Sequence, residues 1–127
     1  VAPRPRDDTS ITVPTGRSTN DLLNTPLAWA DLTATFGGQA KPSGIALFVD
    51  PRNPDFPHAW LTRHYGALCI GWPGVERQTL PAGQPVRLDY RVWVHRGSVD
   101  RDALEASYQA YKAAAHARCE SQPLRPQ

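Results

Sequence analysis

The side chains best suited to chemistry gather in one stretch, Asp50-Pro51-Arg52-Asn53-Pro54-Asp55-Phe56-Pro57-His58-Ala59-Trp60, followed shortly by Arg63-His64-Tyr65-Gly66. Carboxylate and imidazole groups are the proton carriers of general acid and base chemistry, so Asp50, His58 and His64 are the catalytic candidates, with Arg63 placed to stabilise developing negative charge. Arg52, Asn53, Trp60, Arg63 and Tyr65, together with Trp93 further along, are of the types that bind a saccharide, planar polar groups beside an aromatic face. Proline fixes backbone torsions before any ligand arrives, so most of the ordering entropy of these groups is spent on folding. A stiff crossover between two sheets would have the same composition, and the segment therefore also reads as a brace.

Other chemistries find less support. His58, His64 and Asp50 are the nearest set of metal-type ligands, but their spacing follows neither HExxH nor a zinc pattern, and no metal or other cofactor is expected. No GxSxG elbow, P-loop or GxGxxG follows a strand. Asp31, Asp50, Asp55, Glu76 and Asp89 could supply a carboxylate pair for glycoside chemistry, which only their separation in space decides; otherwise they cap turns or pair with arginine. Trp93 has a packing alternative, against a C-terminal helix or a second sheet.

The elements that must position these groups are mainly strands. Ser10–Val13 reads as a short edge strand, and residues 14–26 as a loop with one helical turn at Asn20–Asn24. Leu27–Phe36 alternates, with Ala30, Leu32, Ala34 and Phe36 on one face and Trp29, Asp31, Thr33 and Thr35 on the other. Ile45–Val49 is continuously apolar, which predicts burial on both faces, and Pro51 and Pro54 end it. Gly66–Trp72 gives another apolar strand, with Cys69 expected to be a small buried residue. Leu80–Gly83 carries a type I turn signature. It launches a strand with Val86, Leu88, Tyr90, Val92 and Val94 on one face and Arg87, Asp89, Arg91, Trp93 and His95 on the other.

From Asp100 the period changes to about 3.6. Leu104, Tyr108, Tyr111 and Ala115 form an apolar stripe, Asp100 is the expected N-cap and Val99 with Leu104 a hydrophobic staple, predicting a helix over about residues 100–118. The predicted fold is all-β, an antiparallel β-sandwich with one C-terminal α-helix over residues 10–118, between a lead-in at 1–9 and a tail at 119–127.

The chain has 127 residues, the length of one domain, and its 13 prolines and 9 glycines fit short strands with ordered turns. Fourteen basic and twelve acidic residues are interspersed, with no basic stripe set among aromatics, so no nucleic-acid partner is expected. The longest apolar run, Gly44–Val49, is far shorter than the roughly 20 residues that span a bilayer, so no membrane partner is expected either. Two cysteines without a CxxC leave the compartment open.

The motifs around Asp50–Trp60, Arg63–Leu68, Gly71–Gly74 and Leu80–Gly97 together resemble the bacterial PmoA-like proteins, an uncharacterised family that carries the label methane oxygenase. The resemblance covers roughly Pro26–Ala113, with matches at Pro51, Asn53, Pro54, Trp60, Arg63, Tyr65 and Gly66. The chain departs from the family pattern at Val49-Asp50, where Asp-His is usual, and at Leu61, often histidine. What the resemblance implies is a β-sandwich, a link to carbohydrate metabolism with a saccharide or sugar-derived small molecule as partner, and a longer family domain whose N-terminal half would be a further partner. The label also implies a metal-dependent oxygenase, which is disfavoured because the membrane subunit of similar name needs bilayer-spanning helices.

Overall fold

The computed structural model describes residues 8–121. They form strands β1 (Ser10–Val13), β2 (Gly16–Ser18), β3 (Thr25–Pro26), β4 (Trp29–Ala34), β5 (Ser43–Val49), β6 (Ala59–Arg63), β7 (Ala67–Gly71) and β8 (Tyr90–Arg96), then helix α1 (Arg101–Ser121). Strands β2-β1-β4-β5-β8 make one antiparallel sheet and β3-β6-β7 another. The architecture is the expected all-β antiparallel sandwich with a C-terminal helix.

Two cores follow from the pleat of the larger sheet. Ile11, Ala30, Leu32 and Val49 face the smaller sheet and pack with Trp60, Leu68 and Ile70. Trp29, Ala46 and Phe48 face the other way and pack with Leu104, Tyr108, Tyr111 and Ala115 of α1. Strand β4 is therefore buried along its whole length, polar residues included. The helix begins as its sequence predicts, with Asp100 Oδ1 accepting from the Ala103 amide at 2.8 Å and Val99 packed beside the Leu104 cluster.

Several local expectations are corrected. β1 lies between β2 and β4 and is not an edge strand. The segment Asn20–Asn24 contains no helical turn, and Ala59–Arg63, read as part of the proline-rich loop, is a strand. The turn near residue 80 is one position later, closed by the Gln84 amide on the Pro81 carbonyl at 3.4 Å with Gly83 at positive φ. Cys69 is an exposed free thiol because Leu68 and Ile70 on either side of it face the core, which turns Cys69 to the outer face of the smaller sheet. Asp8 and Thr9, read with the lead-in, are already attached: Asp8 accepts from the Thr35 amide at 2.7 Å and Thr9 is buried. The rest of the lead-in and the tail side chains lie outside the described residues.

β8 starts at Tyr90, later than the alternation from Val86 suggests, and turns its valine face outward: Val92 is 57% and Val94 73% exposed, while His95 is 6% exposed and Trp93 packs beside the helix core, the packing alternative for that residue. β8 is an edge strand, and the core beneath the three-stranded sheet ends on β5 with Ile45 and Leu47. The helix covers the opposite face, where Trp93 and His95 lie.

That covered face holds a buried polar cluster. His95 Nε2 lies 2.6 Å from Asp31 Oδ1, its Nδ1 lies 3.0 Å from the Gly97 carbonyl, and the Thr33 hydroxyl donates to Asp31 Oδ2 at 2.9 Å. Asp31 is on β4 and His95 on β8, so the ring must reach across β5. It does so through the space left at Gly44, which pairs with both Thr33 and His95. A Cβ added at Gly44 would sit 2.5 Å from His95 Cε1 and 2.7 Å from Thr33 Oγ1. Gly44→Ala is therefore expected to destabilise the fold by about 1–3 kcal/mol, the usual cost of overpacking, which a denaturant midpoint would register.

Candidate functional site

Where β5 ends, the proline-rich loop turns beneath the start of β8 and the last turns of α1. Asp50, 1% exposed, is its anchor. Asp50 Oδ1 accepts from the Arg52 amide at 2.8 Å and from Arg52 Nε at 3.0 Å, while Oδ2 accepts from Arg52 Nη2 at 2.6 Å and from the Tyr111 hydroxyl at 3.4 Å. Such a bidentate pair fixes the plane of the guanidinium as well as its position. The Arg52 hydrogen bonds hold the Asp50 carboxyl below its ordinary value despite burial. Burial and the nearby Asp50 charge push the Tyr111 phenol up.

Asn53 does the work of a short strand. Its Nδ2 donates to the Asp89 carbonyl at 2.9 Å and its Oδ1 accepts from the Asp89 amide at 2.7 Å, so the side chain pairs with one backbone unit in both directions. The Asp50 amide also donates to the Asp89 carbonyl at 3.2 Å. These bonds set the entry of β8 and hence the direction of Tyr90 and Arg91.

An open cleft of about 540 Å³ results, lined by Asp50, Arg52 and Asn53 of the loop, by residues 87 and 89–91 before and within β8, and by Tyr111, Ala115 and Arg118 of α1. This is the size range of small-molecule sites. A groove of about 690 Å³ adjoins it through Arg91 and Tyr111 and is walled by Trp93 and Phe48. Of the predicted residues, Asp50, Arg52 and Asn53 thus line the cleft and Trp93 lines its extension.

The others are placed elsewhere. His58 is buried, with Nε2 2.9 Å from the Pro54 carbonyl and Nδ1 3.3 Å from the Tyr90 hydroxyl, so both ring nitrogens are engaged in holding the loop against β8. Trp60 is 1% exposed and donates its indole N–H to the Leu27 carbonyl at 2.8 Å, a core residue whose polar atom is satisfied. Arg63 Nη1 donates to the carbonyls of Leu22 and Thr62 at 3.0 and 2.8 Å. His64 pairs with Asp21 at 2.7 Å, and Tyr65 stands exposed in the β6–β7 turn. Of the five candidate carboxylates, Asp50 and Asp89 pair with Arg52 and Arg87, Asp31 with His95, Asp55 accepts from the Trp72 indole at 3.2 Å, and Glu76 stands exposed in the loop after β7. Among the described residues no three His, Cys, Asp or Glu side chains gather as a metal site.

Sequence reasoning did not assign Arg91, Tyr111 or Arg118 to a site. Arg91 carried a signal, a charge on the covered face of an alternating strand. Tyr111 carried none that distinguishes it from the core tyrosine Tyr108.

The depressed Asp50 value predicts acid sensitivity. Its contribution is complete above the ordinary carboxylate range and is lost as pH falls through the lowered folded value, so stability should decline below about pH 4. Asp50→Asn is expected to lower stability at neutral pH and to flatten that acid limb, as read by circular dichroism on acid titration.

A model of a family of unknown function, DUF6807, matches residues 2–109. The chain belongs to DUF6807. No curated protein and no solved structure shows significant similarity to this DUF6807 chain. No helix among its described residues is long and apolar enough to cross a membrane.

Proposed function

We propose that this DUF6807 chain is a ligand-binding β-sandwich domain whose cleft takes a small polyhydroxylated molecule of the saccharide class, in keeping with its resemblance to the PmoA-like proteins. The observation that carries the reading is the convergence of loop, strand and helix side chains on one open cleft: the guanidinium groups of Arg52, fixed by Asp50, and of Arg91 beside the rings of Tyr90 and Tyr111. Planar hydrogen-bonding groups next to aromatic rings are what a sugar ring requires. Binding, not turnover, is the activity proposed. Asp50 is an ionised carboxylate committed to Arg52, and His58 and His64 do not line the cleft.

Calorimetric titration of the chain with neutral and acidic mono- and disaccharides tests this. The reading expects at least one of them to bind with a 1:1 stoichiometry, and it fails if none binds at millimolar concentration.

A specific observation favours a second reading, a non-catalytic bracing module. Asn53, His58 and Trp60 all spend their polar atoms inside the fold. On that reading, substitutions around the cleft lower stability and no ligand is found. The oxygenase implied by the PmoA-like label is a third reading with no support from the cleft, and metal analysis of the purified chain before and after chelator treatment tests it.

A further inference from the structure

The cleft is lined by Arg52, Arg87 and Arg91 and, at its helix side, Arg118, together with the two aspartates Asp50 and Asp89. Both aspartates are committed. Asp50 is clasped by Arg52, and Asp89 accepts from Arg87 Nε and Nη2 at 2.8 and 3.1 Å. Neither carboxylate is left to meet Arg91, the remaining arginine at the strand side of the cleft.

Arg91 differs from its neighbours. It is exposed, forms no ion pair among the described residues, and lies with its guanidinium carbon 4.9 Å from the centre of the Tyr111 ring. A guanidinium resting on a ring uses its face and keeps the N–H groups in its plane for another partner. Tyr111 is itself held by Asp50, so the platform under Arg91 is fixed from below. Arg91 also stands where the cleft meets the adjoining groove.

We propose that the ligand is an acidic saccharide, a sugar carrying a carboxylate or phosphate, with its anionic group seated on Arg91. This rests on the saccharide reading of the cleft and adds the charge that reading leaves open. The planar fork of arginine matches the two oxygens of either anion.

Calorimetry with glucuronate, galacturonate and glucose 6-phosphate, set against glucose, galactose and inorganic phosphate, separates the two claims. The acids are expected to bind at least about tenfold more tightly than their neutral parents, and raised salt should weaken the acids alone. Arg91→Gln should erase that margin without lowering the melting temperature, since Arg91 is exposed. Arg91→Lys, which keeps the charge and loses the fork, should fall between the two. Neutral sugars binding as tightly as their acids, or a margin that survives Arg91→Gln, would overturn the charge assignment while leaving the saccharide reading intact. Binding of inorganic phosphate as tight as that of the sugar phosphate would overturn both, as would no binding at all.

Discussion

Replacing Asp31 with alanine is expected to cost about 3–5 kcal/mol of folding stability, the range for removing one member of a buried polar pair. For a chain of this size that corresponds to a fall in melting temperature of about 10 °C or more. The reason is geometric. Asp31 and His95 come from strands that are not neighbours, and both are almost fully buried. Removing the carboxylate leaves the buried His95 Nε2 and Thr33 hydroxyl without their shared acceptor. Replacing both partners with apolar residues, Asp31→Val with His95→Leu, should recover part of the loss, because the orphaned imidazole is then gone and only the Thr33 hydroxyl is left without its acceptor. A loss below about 1 kcal/mol for the single variant would show that the pair behaves as a solvated surface contact.

The second large effect falls on Trp60. Trp60→Ala is expected to cost about 3–5 kcal/mol as a core truncation, measured by denaturant unfolding. The indole fills the centre of the inter-sheet core and its N–H bridges to the Leu27 carbonyl, tying β6 to the segment before β4. Trp60→Phe keeps most of the volume, so it should cost less and leave sugar affinity unchanged. If instead Trp60→Phe abolished binding at unchanged stability, Trp60 would be a ligand platform and the cleft assigned above would be the wrong one.

Trp60 also marks a limit of local sequence signals. A tryptophan among prolines and charges has the same local signature whether its ring meets a ligand or a second sheet, and only the partner strand decides. The helix was legible because its evidence is local: Asp100 caps it, and Leu104, Tyr108, Tyr111 and Ala115 recur on one stripe. β5 was legible because a central strand needs apolar groups on both faces. β8 was not. Its alternation was read correctly, but which face is covered depends on how far the other sheet extends, and three strands do not cover five. Half of the cleft was readable for a similar reason. Asp50, Arg52 and Asn53 are neighbours in sequence, whereas Arg91 and Tyr111 join them only through the β5–β8 pairing and the docking of α1.

The proline-rich loop braces the fold with one half and borders the cleft with the other. Its second half, with His58 and then Trp60, fastens the two sheets. Its first half holds Arg52 and the start of β8 in fixed directions at the edge of an open cleft. The two roles are linked through Asp89, whose backbone is gripped by Asn53 and whose side chain engages Arg87 on the rim.

Backbone amide shifts of isotope-labelled protein during titration with glucuronate would locate the site. Perturbations are expected at Asp50–Asn53, Asp89–Arg91 and Tyr111, saturating together. Perturbations confined to residues 60–66, or scattered with no common saturation, would contradict that placement.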